Sequence, residues 1–384
     1  MVLVTIDSPN QAIAPYWDDL VRRASSNVFM DPAALQAACE TDFAEVQMML
    51  AWEEGAEPRR LVGVWAMRLR SVAPLWPHLL ETLPYNYAFQ SSPVVDPAFV
   101  DEVIPAFFAA IERNSSLPNV VSMKAFDAEC ASYAAILKVL ARRGITPLML
   151  SRHARPFVTR EFGVKRSGST RKKLRQDWNR LSALGAVDVL NGRTTEAVEG
   201  AFETFLALEK ASWKGVQGTA LLSDSGDAVF VRKLLQNLAA GRNASVALLR
   251  VDGAPIAAQV LMYCGATAYT WKTSFDANYA KYSPGALLID RVTDELFAGP
   301  DIFAINSCAA GTSFMAQLWA GQRTMVDLLV DVGQAKSLHF RMEAARELGL
   351  ERLRNLRDQI RGRTTASAPK KGGHGRLPDP IISG

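Results

Sequence analysis

The segment of this chain with the most chemical content is a helix start that follows a strand. The strand is predicted over 267–275, and the helix opens on Ser283, Pro284 and Gly285. Serine caps helices, proline suits the first helical position, and glycine leaves free backbone N–H groups accessible to an anion. The segment therefore predicts a phosphate site, although a helix that is simply well capped would have the same sequence.

Three residues are candidates for acid–base chemistry. Glu209 lies on a predicted helix one turn before Trp213, and Asp276 directly follows the strand, so either carboxylate could act as a base. Lys272 interrupts an apolar strand, so its ammonium must face a cleft or a sheet edge, where it could hold an anionic substrate or a carbonyl oxygen. Alternatively, Glu209 is an exposed helix carboxylate, Asp276 is a loop cap and Lys272 is an edge-strand lysine.

Aromatic and basic side chains nearby are candidate substrate contacts. Trp213 and Tyr279 could stack on a sugar or an acyl chain, and Lys214 could belong to the same cleft. Core packing for the two aromatic residues and a solvated position for the lysine are the alternatives. The predicted helix 170–184 is strongly basic on one face, which indicates either a solvated surface or a site for an anionic ligand.

Composition sets limits on the class of protein. The chain has 384 residues, of which 49% are hydrophobic and 21% charged, and this is typical of a globular protein with two domains. The net charge of +4 is too mild to establish nucleic-acid binding. The four cysteines are far apart and are expected as reduced thiols, and the four histidines lack metal-ligand spacing, so no metal site is expected. No secretion signal and no apolar run of about 18 residues is present, which predicts a cytoplasmic protein without a membrane span.

The order of predicted elements repeats. A hairpin is followed by a further strand, a helix and a fifth strand, and this order occurs twice. It predicts an α/β (α+β) fold with two units in tandem, each a mostly antiparallel mixed sheet flanked by helices. The predicted elements are 46–52, 61–69, 87–95, 97–113 and 120–126 in the first unit, and 245–251, 256–263, 267–275, 284–298 and 302–308 in the second.

The predicted boundaries follow from this repeat. The first unit spans 1–155 and the second 156–345, with the end of a C-terminal helix at 346–363 and a disordered tail at 364–384. Further helices are predicted at 170–184, 196–213 and 335–360. In the first unit the helix is capped by Asp96, whose carboxylate would repel phosphate. The first unit is therefore expected to be degenerate, and the second to bind the cofactor.

Several motifs of the second unit resemble the CelD/BcsL family of acetyltransferases, a GNAT-like group linked to cellulose and exopolysaccharide production. The motifs are RKKLRQDWNRL at 171–181, LEKASWKG at 208–215, VDGAPIA at 251–257, YTWKTSFD at 269–276 and YSPG at 282–285. The resemblance covers roughly residues 155 to 335. The whole plan is similar to Fem-type aminoacyl transferases, which also pair two such units.

The resemblance implies a role for one loop. In the GNAT superfamily the equivalent loop binds the pyrophosphate of acetyl-CoA or another acyl-CoA through backbone N–H groups. Here the loop consists of Lys281, Tyr282, Ser283, Pro284, Gly285 and Ala286. Two departures stand out: Pro284 replaces a glycine and lacks an N–H, and Met315 with Ala316 stands where many relatives have an aromatic–lysine pair.

The function implied by the resemblance is acyl-CoA-dependent N-acyltransfer. The acceptor would be an amine of a small molecule or an amino sugar, linked to polysaccharide production, and Glu209, Asp276 and Lys272 would be the catalytic candidates. One alternative is a Fem-like transferase that uses aminoacyl-tRNA held by the basic helix 170–184, and nucleic acid is expected only in that case. The other is a catalytically silent accessory protein of polysaccharide synthesis.

Overall fold

The computed structural model describes residues 1–71, 73, 76–333 and 336–366, with 354–366 described as backbone only. It has a mixed α/β fold, as predicted. The strands are β1 Val2–Asp7, β2 Val46–Glu53, β3 Leu61–Arg70, β4 Leu79–Glu81, β5 Val94–Val95, β6 Val120–Asp127, β7 Leu148–Thr159, β8 Val187–Gly192, β9 Ala244–Val251, β10 Ala254–Cys264, β11 Thr267–Phe275, β12 Ala304–Asn306 and β13 Gln322–Asp331. The helices are α1 Ala14–Val21, α2 Pro32–Glu40, α3 Val100–Arg113, α4 Ala131–Arg142, α5 Ser169–Ser182, α6 Thr195–Ala211, α7 Trp213–Val216, α8 Ser225–Ala240, α9 Pro284–Ala298, α10 Met315–Leu318 and α11 Leu338–Ala366.

The strands form one continuous sheet that contains both units. Its order is β1-β2-β3-β4-β6-β13-β7-β12-β11-β10-β9-β8, and β5 pairs with β3 away from this path. Among the described strands, β4 with β6 and β11 with β12 are parallel, and the other pairs are antiparallel. These two parallel pairs occupy the same position in the two units. The predicted tandem arrangement of mostly antiparallel mixed sheets is confirmed.

The two units exchange strands at the centre of the sheet. β7 follows the first unit in the chain but pairs with β12 of the second, and β13 follows the second unit but pairs with β6 of the first. β7 and β13 also pair with each other. The predicted boundary at residue 155 therefore falls inside β7, a strand whose two partners, β12 and β13, both come later in the chain.

The two hairpins form as predicted. β2 pairs antiparallel with β3, and β9 pairs antiparallel with β10. In the second hairpin, Asp252 and Gly253 turn the chain with φ of 48° and 80°. Two consecutive positive φ values are typical of the tight hairpin turns that Asp-Gly favours. Local sequence thus determines the second hairpin.

Two predicted strands are wrong in their extent. Within 87–95, only Val94 and Val95 form a strand, and the segment before them crosses onto the second unit, where its aromatic side chains pack. The predicted strand 302–308 is limited to β12, because the Asn306 side chain accepts a hydrogen bond from the N–H of Cys308 and Cys308 adopts a φ of 51°. That conformation is incompatible with a continuing ladder.

The predicted helix 196–213 is interrupted. α6 ends at Ala211, Ser212 is extended with ψ of 178°, and its hydroxyl accepts from the N–H of Lys214 to begin α7. Trp213 therefore opens a new short helix. At the C-terminus α11 continues to Ala366, beyond the predicted start of the tail at residue 364, and the remaining predicted tail at 367–384 lies outside the described residues.

Helices cover the sheet of the second unit on both faces. Phe205 of α6 belongs to the buried cluster that contains Val260, and Leu288 of α9 belongs to the one that contains Leu261. Because consecutive strand residues point to opposite faces, α6 and α9 lie on opposite sides of β10. A side chain on β11 therefore faces either the α6 side or the α9 side.

Candidate functional site

A β-bulge in β11 directs two consecutive side chains toward the α6 side. Val260 of β10 pairs with Lys272 and Leu261 pairs with Thr270, so Trp271 is the extra residue. A bulge interrupts the alternation of faces at this point. Trp271 is buried in the cluster that packs under α6, and Lys272 lies beside it on the same side.

The bulge lies where β11 leaves its neighbour. β11 pairs with β12 only from Thr267 to Tyr269, and the last partner is Asn306. Beyond this point Thr270 Oγ1 still reaches the Ser307 carbonyl oxygen at 3.1 Å, and the ladder then ends. Met315 of α10 lies 3.5 Å from the same hydroxyl through its sulfur. Lys272 therefore lies on the part of β11 that β12 does not cover.

Lys272 is enclosed by residues of both units. Its Nζ lies 4.7 Å from the centre of the Tyr87 ring and 5.4 Å from that of Trp271. The Trp271 indole N–H donates to the Tyr87 carbonyl oxygen at 3.0 Å, and the Tyr87 hydroxyl donates to a carboxylate oxygen of Asp227 in α8. We call Tyr87, Glu209, Lys214, Asp227 and Lys272 the Lys272 cluster.

Glu209 is part of this cluster but is not an exposed helix carboxylate. Its side chain is 1% exposed. One carboxylate oxygen accepts from Lys214 Nζ at 2.8 Å, and the other accepts from the backbone N–H of Leu221 at 2.9 Å. Because both oxygens are engaged within the protein, Glu209 is suited to holding positive charge in place.

The surroundings change the proton affinity of the lysine. Burial lowers the pKa of Lys272 to about 8, with the Glu209 and Asp227 carboxylates opposing this change and the Lys214 ammonium adding to it. Burial and the hydrogen bond to Asp227 raise the pKa of Tyr87, so its phenol stays protonated. A lysine with this pKa carries a substantial neutral fraction near pH 8 and can accept a proton.

The start of α9 differs from the predicted cap. Ser283 adopts a left-handed conformation with φ of 53°, and its hydroxyl makes no capping bond; instead it accepts from Lys173 Nζ at 2.7 Å. Pro284 does occupy the first helical position. The prediction that Ser283 caps the helix is therefore wrong. Its hydroxyl binds the Lys173 ammonium instead.

Few backbone donors remain at this helix start. The N–H groups of Ala286 and Leu287 both bond to the Ser283 carbonyl oxygen, and that of Ser283 bonds to the Ala280 carbonyl oxygen. Within the described part of the chain, Gly285 keeps an N–H without a backbone partner. An anion here would rely on that N–H and on nearby cations.

Gly285 has a packing role in addition. A Cβ at this position would lie 3.4 Å from Thr273 Cγ2 and 3.6 Å from Phe275 Cδ1, so it would point at β11. A larger side chain would therefore push α9 away from the sheet. A valine at this position would therefore disturb the packing of α9 as well as the approach of an anion.

The basic helix α5 packs on the α9 start. Arg171 pairs with Asp290, the Arg180 guanidinium lies 5.2 Å from the Tyr282 ring centre, and Lys281 Nζ lies 5.1 Å from that ring on its own loop. Lys172 and Arg175 are exposed. The basic face of α5 is therefore only partly solvated. Some of its cations contact residues at the start of α9, and others are exposed and could bind a ligand.

The remaining predicted site residues are spread out. Asp276 accepts from the N–H of Asn278 at 2.9 Å as a loop cap, and Tyr279 packs with the cluster on the α9 side, its ring 6.4 Å from that of Tyr282. Trp213 is 43% exposed at the start of α7. The structure therefore brings Glu209, Lys214 and Lys272 together and leaves the other three outside their contacts.

Three residues of the site were missed from the sequence. Tyr87 was assigned to a strand, and Asp227 was not considered. Lys173 was one of several helix cations without a distinguishing signal. The alternation of Tyr85, Tyr87 and Phe89 could have been taken as a crossing aromatic segment, because strand-like alternation does not identify the surface on which it packs.

The described residues contain neither a candidate metal site nor a candidate membrane-spanning helix. Over the residues the structure describes, no group of three His, Cys, Asp or Glu side chains is arranged to hold a metal ion. None of the described helices has the length and apolar content needed to span a bilayer.

The comparisons agree with this fold. Residues 168–302 match the family model described as an acetyltransferase (GNAT) domain, which is less than half of the chain. The matched region runs from the residue before α5 to the loop after α9, so it contains Glu209, Lys272 and the α9 start. No curated protein matches the sequence.

Solved structures match over most of their length. FemX is similar with a TM-score of 0.57 and 11% identity, covering 82% of this chain and 95% of that structure. A C-terminal domain from Agrobacterium fabrum assigned as a lysylphosphatidylglycerol synthetase has a TM-score of 0.53 and 15% identity, with 87% and 96% covered. L-PGS from Bacillus licheniformis has a TM-score of 0.52 and 12% identity, with 89% and 98% covered. At these identities the likeness concerns the fold, which is a tandem GNAT-like fold.

Proposed function

We propose that the protein is an N-acyltransferase that moves an acyl group from acetyl-CoA, or another acyl-CoA, to the amine of a small molecule or an amino sugar. The observation that carries this proposal is the bulge in β11. It puts Lys272, whose pKa is about 8, beside the point where β11 and β12 stop pairing. The resemblance to the CelD/BcsL family supports an acceptor used in polysaccharide production. A coenzyme A donor fits a cytoplasmic reaction.

The donor phosphates would bind at the start of α9. Lys173 Nζ and the Gly285 N–H face this end, and Lys281 is exposed on the same loop. A cation and a free helix N–H together attract phosphate. The acyl group would extend from there along the part of β11 that β12 leaves uncovered.

The acceptor would be deprotonated by Lys272. An ammonium acceptor must lose a proton before its nitrogen can attack the thioester carbon, and neutral Lys272 can take that proton. The amine nitrogen then bonds to the thioester carbon, the carbon–sulfur bond breaks, and the second proton of the nitrogen passes to the coenzyme A thiolate as it leaves. Glu209 would act as a positioning residue, because its carboxylate holds Lys214 and partly compensates the charge that Lys272 acquires.

A second donor is favoured by one specific observation. Pro284 and the internal bonds of Ser283, Ala286 and Leu287 leave a single free N–H in the first turn of α9. This is a poor cradle for a pyrophosphate. Exposed Lys172 and Arg175 extend the positive surface along α5. Such an elongated surface suits an aminoacyl-tRNA, whose phosphates would make binding fall steeply with salt. A silent accessory role would require neither donor to bind.

Calorimetric titration separates these donors. Acetyl-CoA is titrated into the wild type, into Lys173→Ala and into a Lys172→Ala/Arg175→Ala double variant as the matched control. We expect micromolar binding that falls about tenfold in Lys173→Ala, which is the weight of one charge-assisted contact, and is unchanged in the control. If acetyl-CoA does not bind, the acyl-CoA proposal is wrong. Salt-dependent RNA binding that is lost in the double variant would then favour the tRNA donor. If the protein binds neither acetyl-CoA nor RNA, the accessory role is favoured.

A further inference from the structure

A cavity of about 540 Å³ lies between the two units, apart from the Lys272 cluster. The first unit contributes Gln90 and Asp127 to its lining, and the central and second-unit strands contribute Phe157, Asn306 and Arg323. Its volume lies in the range of sites for small molecules. The segment that crosses between the units separates the two regions, because Tyr87 faces Lys272 whereas Gln90 faces the cavity.

The walls of the cavity combine apolar and polar surface. Val21, Pro93 and Phe303 supply apolar area. On the polar side, the Asn306 amide donates to the Gln90 side-chain oxygen at 3.2 Å, which joins the two units at the cavity wall. A ligand here would have an apolar body and at least one polar group.

Positive charge concentrates beside this cavity. Arg323 lies over the Phe157 ring at 3.8 Å and donates to Asp127 at 2.9 Å through Nη1, whereas its Nη2 makes no hydrogen bond to the described residues. Arg155 lies directly opposite Arg323 in the β7–β13 register and is 4% exposed. Arg155 donates to the Phe89 carbonyl oxygen at 2.6 Å, and its Nε has no partner.

The positive charge beside the cavity is therefore only partly compensated by carboxylates. Of the two neighbouring guanidinium groups, that of Arg323 pairs with Asp127, and within the described parts of the chain no acidic side chain forms a salt bridge with Arg155. A buried cation without a counter-ion is costly, and an anion in the cavity would relieve this cost. Arg323 lines the cavity, and Arg155 adds its charge from behind.

We propose that this cavity binds a small organic anion, a carboxylate or phosphate on an apolar body, through Arg323. The guanidinium offers a planar pair of N–H donors that matches such anions, and the apolar walls receive the rest of the ligand. This inference goes beyond the proposed acyl transfer and does not depend on the donor, so each can fail without the other.

Binding of simple probes tests the site. Benzoate and phenyl phosphate, with neutral benzamide for comparison, are titrated by calorimetry into the wild type, Arg323→Gln, Ala131→Phe and Lys173→Ala. Ala131 is exposed at the cavity rim, so phenylalanine there obstructs entry while leaving both arginines in place. Arg250→Gln is the matched control, because Arg250 also pairs with an aspartate but lies on β9 away from the cavity.

We expect both anions to bind at least tenfold more tightly than benzamide. Affinity should fall about tenfold or more in Arg323→Gln and in Ala131→Phe, and should not change in Arg250→Gln. Thermal unfolding checks each variant, and if Arg323→Gln does not fold, Ala131→Phe decides. The proposal is overturned if the anions bind no better than benzamide, if Ala131→Phe binds them normally, or if Lys173→Ala abolishes binding, which would move the site to the start of α9.

Discussion

Lys272 Nζ lies 4.7 Å from the centre of the Tyr87 ring, although these residues belong to different units. The contact is fixed on both sides, since the Tyr87 carbonyl oxygen accepts from Trp271 and the Tyr87 hydroxyl donates to Asp227. The first unit, expected from its sequence to be degenerate, thus supplies a wall of the site in the second. Its influence on the lysine can be measured without knowing the substrate.

Replacing Tyr87 by alanine should raise the pKa of Lys272 from about 8 toward its ordinary value of 10.5. Burial is the main cause of the lowered pKa, and removal of the ring admits water. Acetic anhydride acylates neutral amines, so the pH dependence of Lys272 labelling, measured by peptide mass spectrometry, reports this pKa. At pH 8 we expect labelling to fall severalfold in Tyr87→Ala.

Two controls accompany this measurement. Exposed Lys172 is an internal reference whose labelling should not differ between the proteins. Tyr16→Ala removes another tyrosine, one that packs on Trp52 far along the sheet, and should leave Lys272 unchanged. Identical titration of Lys272 in the wild type and in Tyr87→Ala would show that the ring does not shield it.

The same pKa predicts a dependence of stability on pH. Between about pH 8 and 10.5 the unfolded chain holds a proton on Lys272 that the folded chain has lost, so its contribution to stability rises with pH in this window. Lys272→Met removes the penalty and should stabilise the protein at pH 7 by about 1–3 kcal/mol, with little gain left at pH 10.5.

Urea unfolding at pH 7 and pH 10 measures this difference. Lys210→Met is the control, because Lys210 is exposed on α6 and its substitution should change the unfolding free energy by less than about 0.5 kcal/mol at either pH. A gain for Lys272→Met that stays equal at both pH values would argue against a lowered pKa.

Glu209→Gln should destabilise the protein by about 2–4 kcal/mol and also lower turnover. The buried carboxylate accepts from Lys214 and from the Leu221 N–H, and the amide keeps a single acceptor and no charge. Removing one partner of a buried ion pair leaves the other uncompensated. Chemical denaturation gives the stability, and kcat with a coenzyme A donor gives the turnover.

Glu203→Gln provides the matched comparison on the same helix. Glu203 pairs with Arg232 at an exposed position, so its loss should cost less than about 1 kcal/mol. Equal costs for the two variants would mean that Glu209 is as solvated as Glu203. Unchanged kcat in a folded Glu209→Gln protein would remove Glu209 from the mechanism.

The features that depend on local sequence patterns were predicted correctly. The hairpin at Asp252 and Gly253, the extent of β11 and α9, and the first helical position of Pro284 follow from turn chemistry, alternation and helix-start preferences. Lys272 was proposed because a basic residue in an apolar strand requires a partner, and Glu209 because it lies one turn before Trp213 on a predicted helix.

Long-range pairing could not be predicted in this way. Nothing in the residues of β7 or β13 specifies that each joins the sheet of the other unit, since strand partners far apart in sequence leave no local signal. The crossing of Tyr87 onto Lys272 follows from the same arrangement. Ser283 was expected to be a cap because its side chain can be one, but Lys173 from α5 occupies its hydroxyl instead.

The strand exchange predicts that neither unit folds alone. Fragment 1–155 would lack β13, leaving β6 as an open edge, and would also cut β7, whereas fragment 156–384 would lose most of β7 beside β13. An exposed edge strand with unmet hydrogen bonds promotes aggregation.

We expect each fragment to be insoluble or unfolded by near-UV circular dichroism when expressed singly, and co-expression to recover a soluble complex. A chain nicked between Glu54 and Gly55, in the β2–β3 turn, is the control, because both exchanged strands stay intact and it should remain folded. A cooperative thermal transition in either separate fragment would mean that the exchanged strands are dispensable.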